Sequence, residues 1–204
     1  MKKLNKISRR IIAYDKTIEQ FIKKCENSGK FDKWQMDEIR RGFENNLTID
    51  QIKLYANSKF GSIQMSFIRE GFEDGLSMEQ VKVYADTKFD SGQMQQIRQG
   101  FKNGLTMQQV KLYANTEFNS LQMLQVYLGF EHGLTMEQVR VYAQPDKFDD
   151  FQMAEIRVGF EHGLTMKQVE FYADTKFSAE QMDEILKGFK DGLTIEEVKE
   201  KYDL

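Results

Sequence analysis

Apolar and polar positions alternate along this chain in a phrase that returns six times. Its clearest copy is FDSGQMQQIRQGFKNGLTMQQVKLYANTE, from Phe89 to Glu117, and the copies begin at Phe31, Phe60, Phe89, Phe118, Phe148 and Phe177. Successive starts are 29 residues apart, with one step of 30, where Pro145 lengthens the linker from Ala143 to Lys147. Within a copy the apolar residues follow the helical period twice. In the first copy Met36, Ile39 and Phe43 stand at i, i+3, i+7, and Ile52, Tyr55 and Ala56 form a second such set, with Leu54 adding another apolar side. Each copy therefore predicts a longer helix A and a shorter helix B. Self-similarity at this period is the mark of stacked repeats, in which each unit covers the apolar face of the next.

The polar residues between these faces spell starts and stops. Asp32 and Gln35 have the spacing of a capping box, with Phe31 and Met36 as its hydrophobic staple; Thr48, Gln51, Leu47 and Ile52 repeat the device for helix B. In the last copy the two sets are Phe177, Ser178, Gln181, Met182 and Leu193, Thr194, Glu197, Val198. Only the copy at Phe60 departs, with Gly61 at the first cap. Gly75, Gly104, Gly133, Gly163 and Gly192, with Asn46 in the first copy, read as left-handed C-terminal caps of helix A. Helix A is expected to span about 12–13 residues and helix B about 8–9. A second glycine series (Gly42, Gly71, Gly100, Gly129, Gly159 and Gly188) falls inside helix A. Each member costs about 1 kcal/mol relative to alanine, and the compensation expected is close approach of a neighbouring helix.

These patterns predict an all-α fold: an αα-hairpin solenoid, a right-handed superhelix of about 13–14 helices. Residues 1–30 read as an N-terminal capping hairpin, in which Thr17-Ile18-Glu19-Gln20-Phe21 echoes Thr106-Met107-Gln108-Gln109-Val110. Six hairpin repeats follow, at 31–59, 60–88, 89–117, 118–147, 148–176 and 177–204, in one continuous domain. In the last repeat Glu200 and Lys201 replace the pair seen as Leu112 and Tyr113, giving helix B the wet outer face of a terminal repeat.

Composition narrows the function classes. The net charge of −3 is too small for bulk attraction to nucleic acid or an acidic membrane. It is unevenly placed: residues 1–30 carry nine basic and three acidic residues, net +6, and the remainder carries −9. The cluster Lys2, Lys3, Lys6, Arg9 and Arg10 offers contacts to phosphates or to an acidic partner; a solvated basic end is the other reading. The row Lys53, Lys82, Lys111 and Arg140 is interleaved with acids such as Asp50, Glu79 and Glu137. A single cysteine, Cys25, leaves no disulfide to form within the chain, which suits a reducing compartment. The N-terminal stretch lacks the apolar middle of a secretion signal, since its longest apolar run is Ile11-Ile12-Ala13. No run of about 18 apolar residues is present to span a bilayer. The expectation is a cytoplasmic protein without membrane contact.

Catalytic spellings are absent: no P-loop, G-x-G-x-x-G, HExxH, CxxC or G-x-S-x-G. The segment FEDGLSMEQ from Phe72 to Gln80 lacks the alternating carboxylates of a calcium loop and reads as a turn. His132 and His162 each precede a capping glycine, where a histidine complements the helix dipole more simply than it binds metal. Cys25 reads as a packing residue, and methionines recur in shared core positions. No enzyme activity, cofactor or metal is expected.

Positions that vary between copies hold whatever is individual. The outer face of helix A is Trp34, Asp37, Arg41 in the first copy and Gly92, Gln95, Gln99 in the third. In the fourth and fifth copies it turns apolar: Leu121, Leu124, Leu128 and Phe151, Ala154, Val158. Tyr127 also replaces the arginine found at Arg40, Arg69, Arg98 and Arg157. These seven residues (Leu121, Leu124, Tyr127, Leu128, Phe151, Ala154, Val158) form the expected contact patch for a protein partner or a second copy of the chain. The alternative is that superhelical curvature buries this face within the chain. The leading expectation is a non-enzymatic interaction scaffold; nucleic-acid binding through the basic N-terminal cluster is the alternative.

The architecture resembles tetratricopeptide-like and other αα-hairpin solenoids, although the period is 29 and the Trp-Leu-Gly-Tyr pattern is missing. The unit F-x3-QM-x2-I-R-x-G-F-x2-GL-T-M-x-Q-V-x2-YA, covering 31–204, resembles tandem repeats of uncharacterised bacterial proteins, some on mobile elements. That resemblance implies no enzymatic activity and no functional residues to transfer.

Overall fold

The capping grammar is realised residue by residue. In a computed structural model describing residues 16–204, Asp32 Oδ1 accepts from the Gln35 N–H at 2.8 Å, and Gln35 Oε1 accepts from the Asp32 N–H at 2.9 Å. The same reciprocal pair opens nearly every later helix, for example Thr135 with Gln138 and Asp149 with Gln152. At Gly61, which has no side chain to offer, only the return bond survives, in which the Gly61 N–H donates to Gln64 Oε1.

Thirteen helices result, with no strand among the described residues: α1 (described over 16–27), α2 (Lys33–Glu44), α3 (Ile49–Tyr55), α4 (Ser62–Glu73), α5 (Met78–Tyr84), α6 (Ser91–Lys102), α7 (Met107–Tyr113), α8 (Ser120–Glu131), α9 (Met136–Tyr142), α10 (Asp150–Glu161), α11 (Met166–Tyr172), α12 (Ala179–Lys190) and α13 (Ile195–Tyr202). Even-numbered helices from α2 are the A helices and odd-numbered helices from α3 the B helices. Among the described residues no helix is long and apolar enough to cross a membrane. The chain forms two compact units, one ending at Met94 and one covering Gln95–Leu204. Within the first, α3 packs on both α2 and α4, which also pack on each other; within the second, α9 and α11 do the same between α8, α10 and α12.

The helix A stop is the expected one. Gly75, Gly104, Gly133, Gly163 and Gly192 have φ between 79° and 88°, and Asn46 has φ 63°. The Leu134 N–H bonds back to Gly129 O at 2.9 Å, closing a Schellman turn that aims the chain into α9. Helix B is shorter than the sequence suggests, seven residues in every internal copy. The alanine after the tyrosine ends it: Ala143 has φ −71° and ψ 60°, and the Gln144 N–H bonds to Tyr142 O at 2.7 Å. That is an inverse γ-turn, repeated at Ala56, Ala85, Ala114 and Ala173.

The glycines inside helix A have a specific counterpart, the tyrosine of helix B in the same hairpin. Tyr55, Tyr84, Tyr113, Tyr142 and Tyr172 are fully buried. Each hydroxyl donates to a helix A carbonyl: Tyr55 to Glu38 O at 3.2 Å, Tyr142 to Gln125 O at 3.3 Å, Tyr172 to Glu155 O at 3.2 Å. The ring reaches that carbonyl by crossing the glycine, where a Cβ would lie inside contact distance of the hydroxyl oxygen. In the last hairpin Lys201 stands at the tyrosine position, and a Cβ on Gly188 would meet no hydroxyl but Tyr202 Cε2 and Val198 Cγ2 at 3.2 Å and Leu193 Cδ1 at 3.5 Å.

The capping glutamines also tie hairpins together. With Oε1 engaged at its own helix start, Gln35 Nε2 donates to Phe60 O at 2.6 Å, Gln64 Nε2 to Phe89 O at 2.6 Å, Gln122 Nε2 to Phe148 O at 2.7 Å and Gln152 Nε2 to Phe177 O at 2.8 Å. Each bond holds the linker that enters the next hairpin, so one side chain sets both a helix start and the repeat spacing.

Candidate interaction surface

Two lanes of residues run where neighbouring A helices face each other, and they define what is left for a partner. The first lane joins the position seven after the leading Phe to the position nine after it in the next hairpin. In the first unit Arg69 Nε donates to Glu38 Oε2 at 2.8 Å, and both side chains are only 8% exposed. Arg69 also pairs with Glu73 at 2.6 Å, and Arg41 covers the other Glu38 oxygen at 2.8 Å. In the second unit Arg157 Nε donates to Gln125 Oε1 at 3.1 Å while its guanidinium pairs with Glu161. The second lane joins the residue capping one A helix to the last glutamate of the next: Asn45 to Glu73 at 2.7 Å, Asn103 to Glu131 at 2.7 Å and His132 to Glu161 at 2.8 Å. His162 instead turns its Nδ1 to Val158 O at 2.8 Å. Both histidines thus serve helix ends, and among the described residues no group of three or more His, Cys, Asp or Glu side chains is placed to hold a metal ion.

Outside these lanes lies the face made apolar in the fourth and fifth copies. It belongs to α8 and α10, which pack side by side in the second unit. Leu121 is 54% exposed and Phe151 69% exposed; Leu124, Leu128, Ala154 and Val158 are part-exposed. The face is therefore continuous along two adjacent helices and open to solvent within the unit.

Tyr127 is a correction to the expected patch. It is only 5% exposed, because it occupies the inward arginine position of the first lane rather than the outer face. Its hydroxyl accepts from Asn103 Nδ2 at 2.7 Å. Burial, followed by the neighbouring Glu131 carboxylate, pushes its pKa up to about 12. Tyr127 is a lane residue that substitutes an aromatic for a guanidinium.

One exposed residue escaped the sequence reading. Ile63, 61% exposed, stands at the same position in its hairpin as Trp34, Leu121 and Phe151, the second residue of helix A. Within the first unit Trp34 and Ile63 flank a shallow depression of about 110 Å³ floored by Asp37, Arg41 and Ser66. The period itself was the available signal. The residues that follow Ile63 on its face, Ser66 and Glu70, are polar, so the face carries no apolar triplet.

Lys2, Lys3, Lys6, Arg9 and Arg10 lie outside the described residues. Cys25 is buried, and burial raises its thiol pKa, so it is a packing residue rather than an activated thiol. Neither a protein-family model, nor a curated protein, nor a solved structure matches this chain.

Proposed function

We propose that this protein is a non-enzymatic interaction scaffold that presents the outer face of α8 and α10 to a protein partner. The observation behind this reading is the pairing of Leu121 and Phe151, both more than half exposed, at the head of an apolar face that continues through Leu124, Leu128, Ala154 and Val158. Contiguous exposed apolar surface on an otherwise polar helix layer is where soluble proteins meet partners. The repeat frame supplies rigidity, so little ordering entropy is lost on docking. Exchanging Leu124→Glu together with Leu128→Glu charges the face without touching a lane or a cap. The expected result is unchanged helical circular dichroism with loss of partner capture or self-assembly. Unchanged light scattering and unchanged pull-down reject the reading.

The alternative is nucleic-acid binding through the net +6 carried by residues 1–30. It requires affinity that falls steeply with salt and disappears when residues 1–16 are removed. No shift of labelled DNA or RNA at low salt removes it.

A further inference from the structure

In the first lane Glu155 lacks the guanidinium that serves Glu38, and it borders the apolar face. Glu38 receives the guanidinium of Arg69, and Gln125 receives that of Arg157. The equivalent acceptor one hairpin later is Glu155, and the residue positioned to serve it is Leu186, which is buried and apolar. The Glu155 carboxylate has no hydrogen-bond or ion-pair partner among the described residues. Of the two cations that act on it, Lys187 has its Nζ already held by Asp183 Oδ2 at 2.6 Å, and Arg157 pairs with Glu161. Burial, then the charge of Asp183, raises the Glu155 pKa above its ordinary value, and Lys187 and Arg157 offset this only in part.

Glu155 is the lane residue that borders the face. It follows Phe151 by four residues and precedes Val158 by three, the spacings that place side chains together on a helix surface. The exposed Phe151 ring and the half-buried carboxylate thus stand beside each other. An aromatic face next to a carboxylate matches one side chain best: a guanidinium stacks on the ring and forms two parallel bonds to the carboxylate.

Resting on the proposed interaction face, we propose that its partner is a protein segment bearing an arginine, whose guanidinium stacks on Phe151 and pairs with Glu155 while flanking apolar side chains cover Leu121, Leu124 and Leu128. The partner supplies in trans the guanidinium that Arg69 and Arg157 supply within the chain. The apolar contacts give area; the arginine fixes register and favours this face over the Trp34 and Ile63 depression of the first unit, where Glu38 is already paired with two arginines.

The test uses the full chain against a displayed library of randomised peptides, with Glu155→Gln as the matched variant. Glutamine stands naturally at this position as Gln96 and Gln125, so the variant keeps the fold. Peptides selected by the native chain are expected to hold an arginine beside apolar residues. The best of them binds Glu155→Gln about tenfold more weakly, the loss of one charge-assisted pair, and loses as much when its arginine becomes citrulline. Selected peptides that lack arginine, accept lysine equally, or bind Glu155→Gln as well as the native chain overturn this inference while leaving the face itself in place. Peptides that still bind the Leu124→Glu, Leu128→Glu variant, or a library that yields no binder, overturn the interaction face and this inference together.

Discussion

Replacing Gly129 by alanine is a sensitive probe of how a hairpin closes. Helix propensity alone favours the change by about 1 kcal/mol, because alanine is the better interior residue. The structure reverses the sign. A Cβ at Gly129 intrudes on Tyr142 Oη and also meets Leu134 Cδ1 and Tyr142 Cζ at 3.3 Å. Tyr142 is fully buried, so its ring has no free space into which to retreat. Overpacking of this kind costs about 1–3 kcal/mol. Displacing the hydroxyl from Gln125 O, now 3.3 Å away, leaves a buried donor unpaired at a further ~1–3 kcal/mol. Net of the propensity gain, Gly129→Ala should destabilise the protein by about 2–3 kcal/mol. Tyr142→Phe alone should cost about 1 kcal/mol, one hydrogen bond. In the Tyr142→Phe background the colliding atom is gone and only the 3.3 Å contacts remain, so Gly129→Ala should become neutral or mildly stabilising there. Urea unfolding followed by far-ultraviolet circular dichroism reads all four corners of this cycle, with an expected coupling of about 2 kcal/mol. The last hairpin is an internal control: with no tyrosine hydroxyl over Gly188, Gly188→Ala should cost less than Gly129→Ala. A Gly129→Ala protein as stable as the native chain, or one equally destabilised in both backgrounds, refutes the lock.

Three further outcomes follow from the lanes and caps. Arg69→Ala strands the Glu38 carboxylate with only Arg41, and should cost about 3 kcal/mol in unfolding free energy, largely recovered by adding Glu38→Gln. Gln122→Ala removes a helix start and the bonds from Nε2 to Pro145 O at 3.0 Å and Phe148 O at 2.7 Å; a loss of about 2 kcal/mol is expected, with faster amide exchange in the linker ahead of α10. Glu155 has its folded pKa raised, so the folded state binds the proton more tightly than the unfolded state. Its contribution is fully present below the ordinary value near 4.5 and is lost as pH rises through the folded value. Glu155→Gln should therefore be more stable than the native chain at neutral pH, and the difference should vanish as the pH falls below that ordinary value; a stability gap independent of pH contradicts this.

Local signals were legible because their causes are local. A cap and its glutamine are three residues apart, and a left-handed glycine depends on its own φ, so the hairpin was readable from Asp32, Gln35 and Gly133 without coordinates. The glycine–tyrosine lock was only half legible: Gly129 announced a close approach, but its partner Tyr142 lies across a turn and its register depends on how two helices meet. The inverse γ-turn at Ala143 shortened helix B through a bond that no residue preference advertises. The lanes were invisible because Glu38 and Arg69 come from different hairpins. For the same reason the sequence does not show that Tyr127 faces inward: it replaces an arginine, and whether that arginine faces in or out is a property of the neighbouring helix. The apolar face itself was readable, since Leu121, Leu124, Leu128, Phe151, Ala154 and Val158 keep helical spacing and interrupt a polar series.

The claim on which the rest turns is that individuality is written on the outer face of α8 and α10. Replacing Phe151 with the photoreactive benzoylphenylalanine keeps an aromatic ring there, and the same replacement at the exposed Gln108 on α7 provides a reference. Irradiation in native extract should give one discrete adduct from position 151, whether with a partner or a second copy, and none from position 108. Adducts of equal yield from both positions, or none from 151, contradict the account.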